Sequence, residues 1–325
     1  MSGKFSEQIA DLVRLGVHDD TIRANLLTGG EVFLLLEDSD TDFNLIQQRF
    51  GNNNVFTTLS NVNDAVVTNR NDIVLCSANS AHSTALVTVA KNRVHFYGLD
   101  GGGRKNSQGT KFATPATSVA ASTAVIKNTG TRNTYRNIKF TQQGTNAAQT
   151  SAFWDTGEGT YVKNCSFEVN SILSTATQAL LFAGDTCHYE DCQIGNSTVY
   201  HTAAEQAPLV IKTPARYSYF INCTIINYSS QTTASCIDVP DADGVIGWVK
   251  FENCSLVSAN KGDGATAGGT MAEAVTSVAT SGYLYFDNRC TSYRASKFAE
   301  ADASIMNASS TGTAVARGGE AVAGA

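Results

Sequence analysis

The stretch Val162-Lys163-Asn164-Cys165-Ser166-Phe167 is one copy of a short phrase that recurs along this chain. An apolar residue comes first, Asn or Asp follows two positions later, and then come Cys or Ile, a polar residue and a second apolar residue. The aligned Cys or Ile positions, from Ile138 to Cys290, are spaced 27 to 36 residues apart. A period of this length is typical of a solenoid of stacked repeats. The other copies begin at Tyr135, Tyr189, Phe220, Phe251 and, in a degraded form, Phe286.

Each part of the phrase has a structural interpretation. Asn and Asp tolerate the left-handed backbone conformation that a sharp bend between two strands requires. The two apolar positions after the bend are separated by one polar residue, which is the alternation of a strand with one buried side. Stacked copies therefore place like residues on one another, and small buried Cys acts there as a modest hydrophobic residue. The predicted structural ladder consists of Asn137, Asn164, Asp191, Asn222 and Asn253, followed by Cys165, Cys192, Cys223 and Cys254.

The phrase resembles the Asn-Cys-x-Phe turn and strand of the pectin-lyase-like right-handed parallel β-helix superfamily. The preceding region adds to this likeness, because Leu59, Val62 and Val66 have helical spacing and strand-like segments follow them. A leucine-rich repeat is the competing interpretation, but its Leu-x-x-Leu-x-Leu run is not present. We therefore predict an all-β fold, a right-handed parallel β-helix over residues 55–298.

The two ends of the chain differ from the repeats. Residues 1–54 are predicted to form a helical N-terminal segment, whose apolar stripe is Phe5, Ile9, Leu12 and Val13. This segment either caps the open end of the solenoid or anchors it on a larger assembly, since a solenoid end exposes unpaired strand edges. Residues 299–325 are small and polar and are predicted to form an extended C-terminal arm.

Composition narrows the classes of function. Of the 325 residues, 42% are hydrophobic and only 16% are charged, so the predicted surface is rich in Ser, Thr, Asn and Gly. A net charge of −6 without a basic run argues against a nucleic-acid partner. The sequence shows neither a signal peptide nor a membrane span, so we expect folding in a host cytoplasm, eight free thiols and no membrane partner.

The resemblance requires a search for the catalytic motifs of pectate lyases and polygalacturonases. The hydrolases carry Asn-Thr-Asp, Asp-Asp, Gly-His-Gly and Arg-Ile-Lys motifs, and none of these occurs in the predicted solenoid. We therefore predict that the chain is not an enzyme. If it is one, the candidate catalytic carboxylates are Asp155 with Glu158, and Asp238 with Asp241, although both segments are also typical turns.

Two further clusters contain metal-ligand residue types. Asp38, Asp40 and Asp42 are spaced like the start of a calcium loop, but the required Gly and closing Glu are missing, which favours helix capping. Cys187 and Cys192 accompany His188, but strand alternation points His188 away from Cys187. The sequence therefore predicts no metal site and no cofactor.

The resulting functional prediction is a non-enzymatic phage virion structural protein, capsid-decorating or head-associated. Its expected partners are other virion proteins such as the major capsid protein, and a homotrimer is expected by analogy with viral β-helices. The alternative is a tail fibre or tailspike with polysaccharide lyase or glycoside hydrolase activity. A bare carbohydrate-binding solenoid is a third possibility, which requires exposed aromatic residues along one face. The aromatic residues of the phrase fall at inward positions instead: Phe140, Phe167, Tyr189, Phe220 and Phe251.

Overall fold

The fold is described from a computed structural model. It describes residues 29–36, 48, 53–77, 81–83, 86–99, 109–114, 124–143, 151–170, 178–202, 207–231, 233–241, 243–260, 275–277, 282–295, 298 and 305–307. The predicted apolar stripe (Phe5, Ile9, Leu12, Val13) and the acidic segment Asp38 to Asp42 lie outside these residues.

The strands form three parallel sheets, and we number them in chain order. The first sheet has eleven strands: β1 (Val32–Leu35), β2 (Val55–Phe56), β3 (Asp72–Cys76), β6 (Val94–Gly98), β9 (Thr134–Arg136), β12 (Tyr161–Lys163), β15 (His188–Glu190), β18 (Ser218–Ile221), β21 (Gly247–Glu252), β24 (Gly282–Phe286) and β26 (Ile305–Asn307). The second has eight: β4 (Ala81–Ser83), β7 (Lys111–Ala113), β10 (Lys139–Gln142), β13 (Ser166–Val169), β16 (Gln193–Gly195), β19 (Thr224–Ser229), β22 (Ser255–Asn260) and β25 (Thr291–Tyr293). The third has seven: β5 (Val87–Val89), β8 (Ala124–Asn128), β11 (Ser151–Asp155), β14 (Gln178–Phe182), β17 (Leu209–Ile211), β20 (Ile237–Val239) and β23 (Val275–Ser277).

From β9 to β23, each coil contributes one strand to the first sheet, one to the second and one to the third. Strands of successive coils pair in parallel. Parallel pairing requires a crossover connection between the two strands, and such connections are right-handed in nearly all proteins. The chain is therefore a right-handed parallel β-helix, and the fold class predicted from the repeated phrase is confirmed.

The core lies inside the coils, where identical positions stack on one another. In the first sheet the rings of Phe220 and Phe251 stack at 5.0 Å between centroids, and those of Phe251 and Phe286 at 4.7 Å. In the second sheet Phe140 stacks on Phe167 at 5.3 Å. All of these side chains are fully buried, and offset stacking of aromatic rings adds to the stabilisation from burial.

The bend between the first and second sheets is made by the residues of the predicted ladder. Asn137, Asn164, Asp191, Asn222 and Asn253 all have positive φ angles, between 50° and 56°. Their side chains also bond along the axis, since the Asn253 amide donates to Asn222 Oδ1 at 2.8 Å. The cysteines that follow these bends are buried free thiols.

A short helix lies at the start of the described solenoid. Helix α1 (Leu59–Ala65) begins after Thr58, whose hydroxyl accepts a hydrogen bond from the Asn61 backbone at 3.3 Å, as an N-cap residue does. Leu59 and Val62 are buried against the core beside β1 and β2. No helix among the described residues is long and apolar enough to cross a membrane.

The described strands extend beyond the domain boundaries predicted from the sequence. Strand β1 lies within the range predicted as a helical cap, yet it pairs with β3 in the first sheet. Strand β26 lies within the range predicted as an extended arm and pairs with β24. The first sheet therefore starts earlier and ends later than residues 55–298.

Candidate functional site

Alternate side chains of the first sheet point outward and form one surface of the solenoid. Successive side chains of a strand point to opposite faces, so the neighbours of each inward residue face outward. The strands pair in register, and each outward position therefore forms a row along the axis. The aligned inward residues of β12, β15, β18, β21 and β24 are buried and apolar: Val162, Tyr189, Phe220, Phe251 and Phe286.

The central outward row is mostly aromatic. It runs through Tyr161, His188, Tyr219, Lys250 and Tyr285 on successive strands. The His188 ring lies 5.3 Å from that of Tyr161 and 6.0 Å from that of Tyr219. The Lys250 ammonium lies 5.9 Å from the Tyr219 ring centre and 5.2 Å from that of Tyr285, which is within cation–π distance.

A second outward row lies beside the central one and adds three aromatic residues. Trp248 and Tyr283 pair across β21 and β24, and Tyr217 directly precedes β18. The Trp248 ring meets Tyr217 at 5.8 Å and Tyr219 at 4.8 Å, both edge to face. Tyr217 is 45% exposed and Tyr283 49% exposed, so the second row extends the outward aromatic surface into solvent. We call the eight residues of the two rows the aromatic face: Tyr161, His188, Tyr217, Tyr219, Trp248, Lys250, Tyr283 and Tyr285.

The aromatic face contains a shallow, open concavity of about 340 Å³. Its surface is mainly apolar, with the Lys250 ammonium as the charged group. Small-molecule and sugar sites typically combine such an apolar lining with a few polar groups. The residues that line it are Tyr219, Trp248, Lys250, Tyr283 and Tyr285.

A third outward row, which we call the charged row, flanks the aromatic face. Lys163, Glu190, Ile221 and Glu252 occupy successive strands, and Asp287 directly follows β24. Glu190 accepts hydrogen bonds from the Lys163 ammonium and from the Tyr161 hydroxyl, both at 2.7 Å. Hydroxyl, ammonium and carboxylate groups therefore lie within reach of a ligand on the aromatic face.

The protonation states follow from these contacts. Partial burial raises the pKa of Glu190, but the hydrogen bonds from Lys163 and Tyr161 outweigh it, and the pKa lies below its ordinary value. Glu190 is therefore ionised at neutral pH. Partial burial lowers the pKa of His188, which keeps the imidazole neutral. Partial burial and the hydrogen bond to Glu190 raise the pKa of Tyr161, which keeps its proton.

Of the four carboxylates predicted from the sequence, Asp155 lies inside the solenoid. Its side chain is fully buried on β11. Its Oδ1 accepts hydrogen bonds from the Asn128 amide at 2.8 Å and the Gly157 backbone at 2.9 Å, and its Oδ2 accepts one from the Tyr189 hydroxyl at 2.7 Å. These contacts tie the third sheet to the first, and no substrate can approach the carboxylate in this fold.

The other three predicted carboxylates are not brought together with it. Glu158 is exposed in the turn after β11. Asp238 lies on β20, three strands away from β11 in the third sheet. The Asp241 carbonyl accepts a hydrogen bond from the Gly244 backbone at 2.8 Å, which closes a turn. None of these four residues belongs to the aromatic face or the charged row.

The cysteine and histidine cluster is divided by the wall of the solenoid. Cys187 and Cys192 are buried, whereas the His188 side chain is 37% exposed on the outer surface. Within the described part of the chain, no group of three or more His, Cys, Asp and Glu side chains is placed to hold a metal ion.

The aromatic face was missed in the sequence analysis, although the sequence carries a signal for it. The repeated phrase drew attention to the inward residues, and the residue before each of them was not compared between copies. From Val162 onward, that preceding residue is Tyr161, His188, Tyr219, Lys250 or Tyr285. A row of large side chains at one outward position is therefore visible once the phrases are aligned.

Two solved structures share this architecture over most of both chains. A mutant pectin methylesterase in complex with a hexasaccharide has a TM-score of 0.50 at 13% identity, covering 89% of this chain and 92% of its own. The deglycosylated pectin methylesterase from Aspergillus niger has a TM-score of 0.50 at 14% identity, covering 92% of both chains. No protein-family profile and no curated protein matches the sequence. At such identities the likeness shows the fold, which is the pectin-lyase-like right-handed β-helix.

The comparisons contradict the prediction that this chain is not an enzyme. Both of these solved structures are pectin methylesterases, which are carbohydrate-active enzymes. They give no support to a virion or capsid-decorating role or to a homo-oligomer, and these stay predictions. Of the functions predicted from the sequence, the polysaccharide-degrading alternative agrees better with them.

Proposed function

We propose that this chain binds a polysaccharide along the aromatic face and hydrolyses it there. The observation that supports this proposal is the set of outward tyrosine and tryptophan rings, exposed or half-buried, in register across successive coils. Aromatic rings present a flat apolar surface, and their polar tips remain hydrated. Large contiguous aromatic patches on a soluble protein usually mark a binding surface.

The aromatic side chains are not needed for the solenoid itself. The matching outward positions of the second sheet are small or polar, for example Ser166, Gln193 and Thr224. Those strands pair as regularly as the strands of the first sheet. Aromatic residues at the outward positions of the first sheet therefore call for an explanation outside the core.

The repeat of the rings along the axis favours a polymer as the ligand. Neighbouring strands of a sheet lie about 4.8 Å apart, so each coil presents a new outward side chain at this interval. Tyr161, His188 and Tyr219 lie on three consecutive strands, and Trp248 and Tyr283 continue the surface over the next two. An extended sugar chain can therefore contact several coils at once.

Glu190 and Glu252 are the carboxylates that we propose for hydrolysis. They lie on either side of Ile221 in the charged row, so their strands are two spacings apart, roughly 10 Å. Inverting glycoside hydrolases use a carboxylate base and a protonated carboxyl acid about 6.5 to 9.5 Å apart. We assign the base, which takes a proton from the attacking water, to ionised Glu190. We assign the acid, which gives a proton to the leaving glycosidic oxygen, to Glu252, which must take up a proton before cleavage. Tyr219 lies between them in the neighbouring row, and a sugar stacked on its ring would sit between both carboxylates.

Two tryptophan variants should differ sharply in polysaccharide binding. Trp248→Ala removes an aromatic surface from the concavity, so we expect about a tenfold or greater loss of polysaccharide affinity, which corresponds to about 1.4 kcal/mol. Trp154→Ala is the matched control, because Trp154 lies on the outer side of the third sheet under the Lys127 ammonium. Affinity electrophoresis with a panel of polysaccharides measures both. Equal binding by the two variants would overturn the aromatic face as the binding site.

Hydrolysis is tested separately from binding. Glu190→Gln and Glu252→Gln should abolish the release of reducing ends while the protein still binds the polysaccharide. Unchanged release by both variants would show that these carboxylates are not catalytic.

In a virion, this activity would correspond to the predicted tailspike or tail fibre. Electron cryo-microscopy of the native assembly tests that location, the trimer and the contact with a major capsid protein. The arrangement expected for a tailspike is a copy at the tail tip with its aromatic face open. Ordered copies on the capsid lattice with a covered aromatic face would contradict it.

A further inference from the structure

Four cations beside the aromatic face are each engaged by a carboxylate: Lys163, Arg216, Lys250 and Arg289. Each of them lies 2.7 Å from a carboxylate oxygen. An incoming anion would therefore have to displace a carboxylate that is already in place.

Lys250 shows this most clearly, because its ammonium lies in the concavity between the Tyr219 and Tyr285 rings. Its partner is Glu252, on the same strand and on the same side. The Glu252 carboxylate also lies 3.9 Å from Arg289. The charge in the concavity is therefore balanced from within the protein.

Further negative charge surrounds these pairs. Asp191 lies 4.0 Å from the Lys163 ammonium, in addition to Glu190. His188, which could have supplied a positive charge between two aromatic rings, is held neutral by partial burial, which lowers its pKa. A carboxylate, sulfate or phosphate on a ligand would meet these negative groups at short range, and like charges repel there.

From this charge balance we infer that the aromatic face accepts a neutral polysaccharide and rejects acidic ones. The inference rests on the proposed function and specifies its substrate class. Uncharged sugar rings can stack on Tyr219 and Tyr285 without disturbing any ion pair. Their hydroxyls can donate to Glu190 and Glu252 and accept from Lys250, and hydrogen bonds to charged groups are stronger than neutral ones. Pectin, after which the structurally similar methylesterases are named, would thus not be the ligand of this chain.

The test compares neutral and acidic polymers on the same protein. Neutral probes are mixed-linkage glucan, mannan and xylan, and acidic probes are polygalacturonate and alginate. We expect binding to at least one neutral polymer that changes little between low and high salt, because no net charge is neutralised. Binding only to acidic polymers, weakened by salt, would overturn the inference and leave the proposed function standing. Binding to neither group would overturn the proposed function itself.

A substitution in the ion pair between Lys250 and Glu252 provides a second test. Glu252→Gln leaves Lys250 without its closest carboxylate, so affinity for polygalacturonate should rise about threefold or more, whereas affinity for neutral polymers should not rise. Asp64→Asn is the matched control, since it removes one negative charge from the exposed side of helix α1. If both variants leave polygalacturonate binding unchanged, the ion pairs do not determine the substrate class. Thermal unfolding confirms that each variant is folded.

Discussion

The inner and outer sides of the first sheet carry different kinds of sequence, although the same strands supply both. On the inner side of β18 and β21, Phe220 and Phe251 repeat one chemistry and stack on each other. On the outer side, Tyr219 and Lys250 differ, and the rows change from aromatic to charged across the surface. Repetition on one side reflects packing, because each coil must fill the same interior. Outward residues are not constrained by this packing, so they can vary from coil to coil and form a functional surface.

The largest difference between the two sides is expected when neighbouring aromatic rings on the inner and outer sides of β18 are removed. Phe220→Ala should cost about 3–5 kcal/mol, because a fully buried ring leaves a cavity between stacked neighbours. Tyr219→Ala should cost only about 1 kcal/mol, because its half-buried ring loses cross-strand contacts such as the one with Trp248 but leaves no internal cavity. Urea unfolding measures both variants, and polysaccharide binding should fail only in Tyr219→Ala. A large loss of stability in Tyr219→Ala would place that ring among the structural residues.

A smaller effect is expected at the bend between the first and second sheets. Asn222 has a φ of 54° and bonds to Asp191 below and Asn253 above. Asn222→Ala should cost about 1–2 kcal/mol, since alanine disfavours the left-handed conformation and both side-chain bonds are lost. Asn222→Gly loses the same bonds but keeps the backbone conformation, so its urea midpoint should lie between those of the wild type and Asn222→Ala. Equal midpoints for the two variants would rule out the backbone conformation as a cause.

The smallest expected effect is a difference in pH dependence between an inner and an outer carboxylate. Burial raises the pKa of Asp155 above 3.8, even though four hydrogen bonds oppose this, so its stabilising contribution is greatest below that pH and is lost as pH rises through the folded-state pKa. Glu190 behaves in the opposite way, because hydrogen bonds from Lys163 and Tyr161 outweigh partial burial and hold its pKa below 4.5. Its contribution is present above 4.5 and is lost as pH falls through the folded-state pKa.

Two variants with uncharged side chains distinguish these opposite pH dependences of stability. As pH rises from about 3, the wild type should lose stability relative to Asp155→Asn and gain stability relative to Glu190→Gln, as measured by melting temperature. Slopes of the same sign would mean that one of the two carboxylates has been assigned the wrong environment. The asparagine in Asp155→Asn retains an oxygen that can accept from Asn128 and Gly157, so the interior network should survive the change.

The repeated phrase by itself determined the fold class. The spacing of apolar residues and of Asn or Asp, from Asn137 to Asn253, specifies strands and left-handed bends, and these are local properties of the backbone. The buried state of Cys165 and Phe167 follows from the same alternation. Local geometry repeated along a chain leaves few alternatives to a stacked solenoid.

The tertiary structure decided which outward residues meet and which carboxylates are accessible. Tyr217, Trp248 and Tyr283 are each separated by more than 30 positions in the sequence, yet lie on neighbouring strands because the coils vary in length and still pair in register. Asp155 and Glu158 are close in sequence, yet one is inside the wall and the other is on its surface. Distances across coils depend on register, and register is a property of the assembled sheet that no single segment contains.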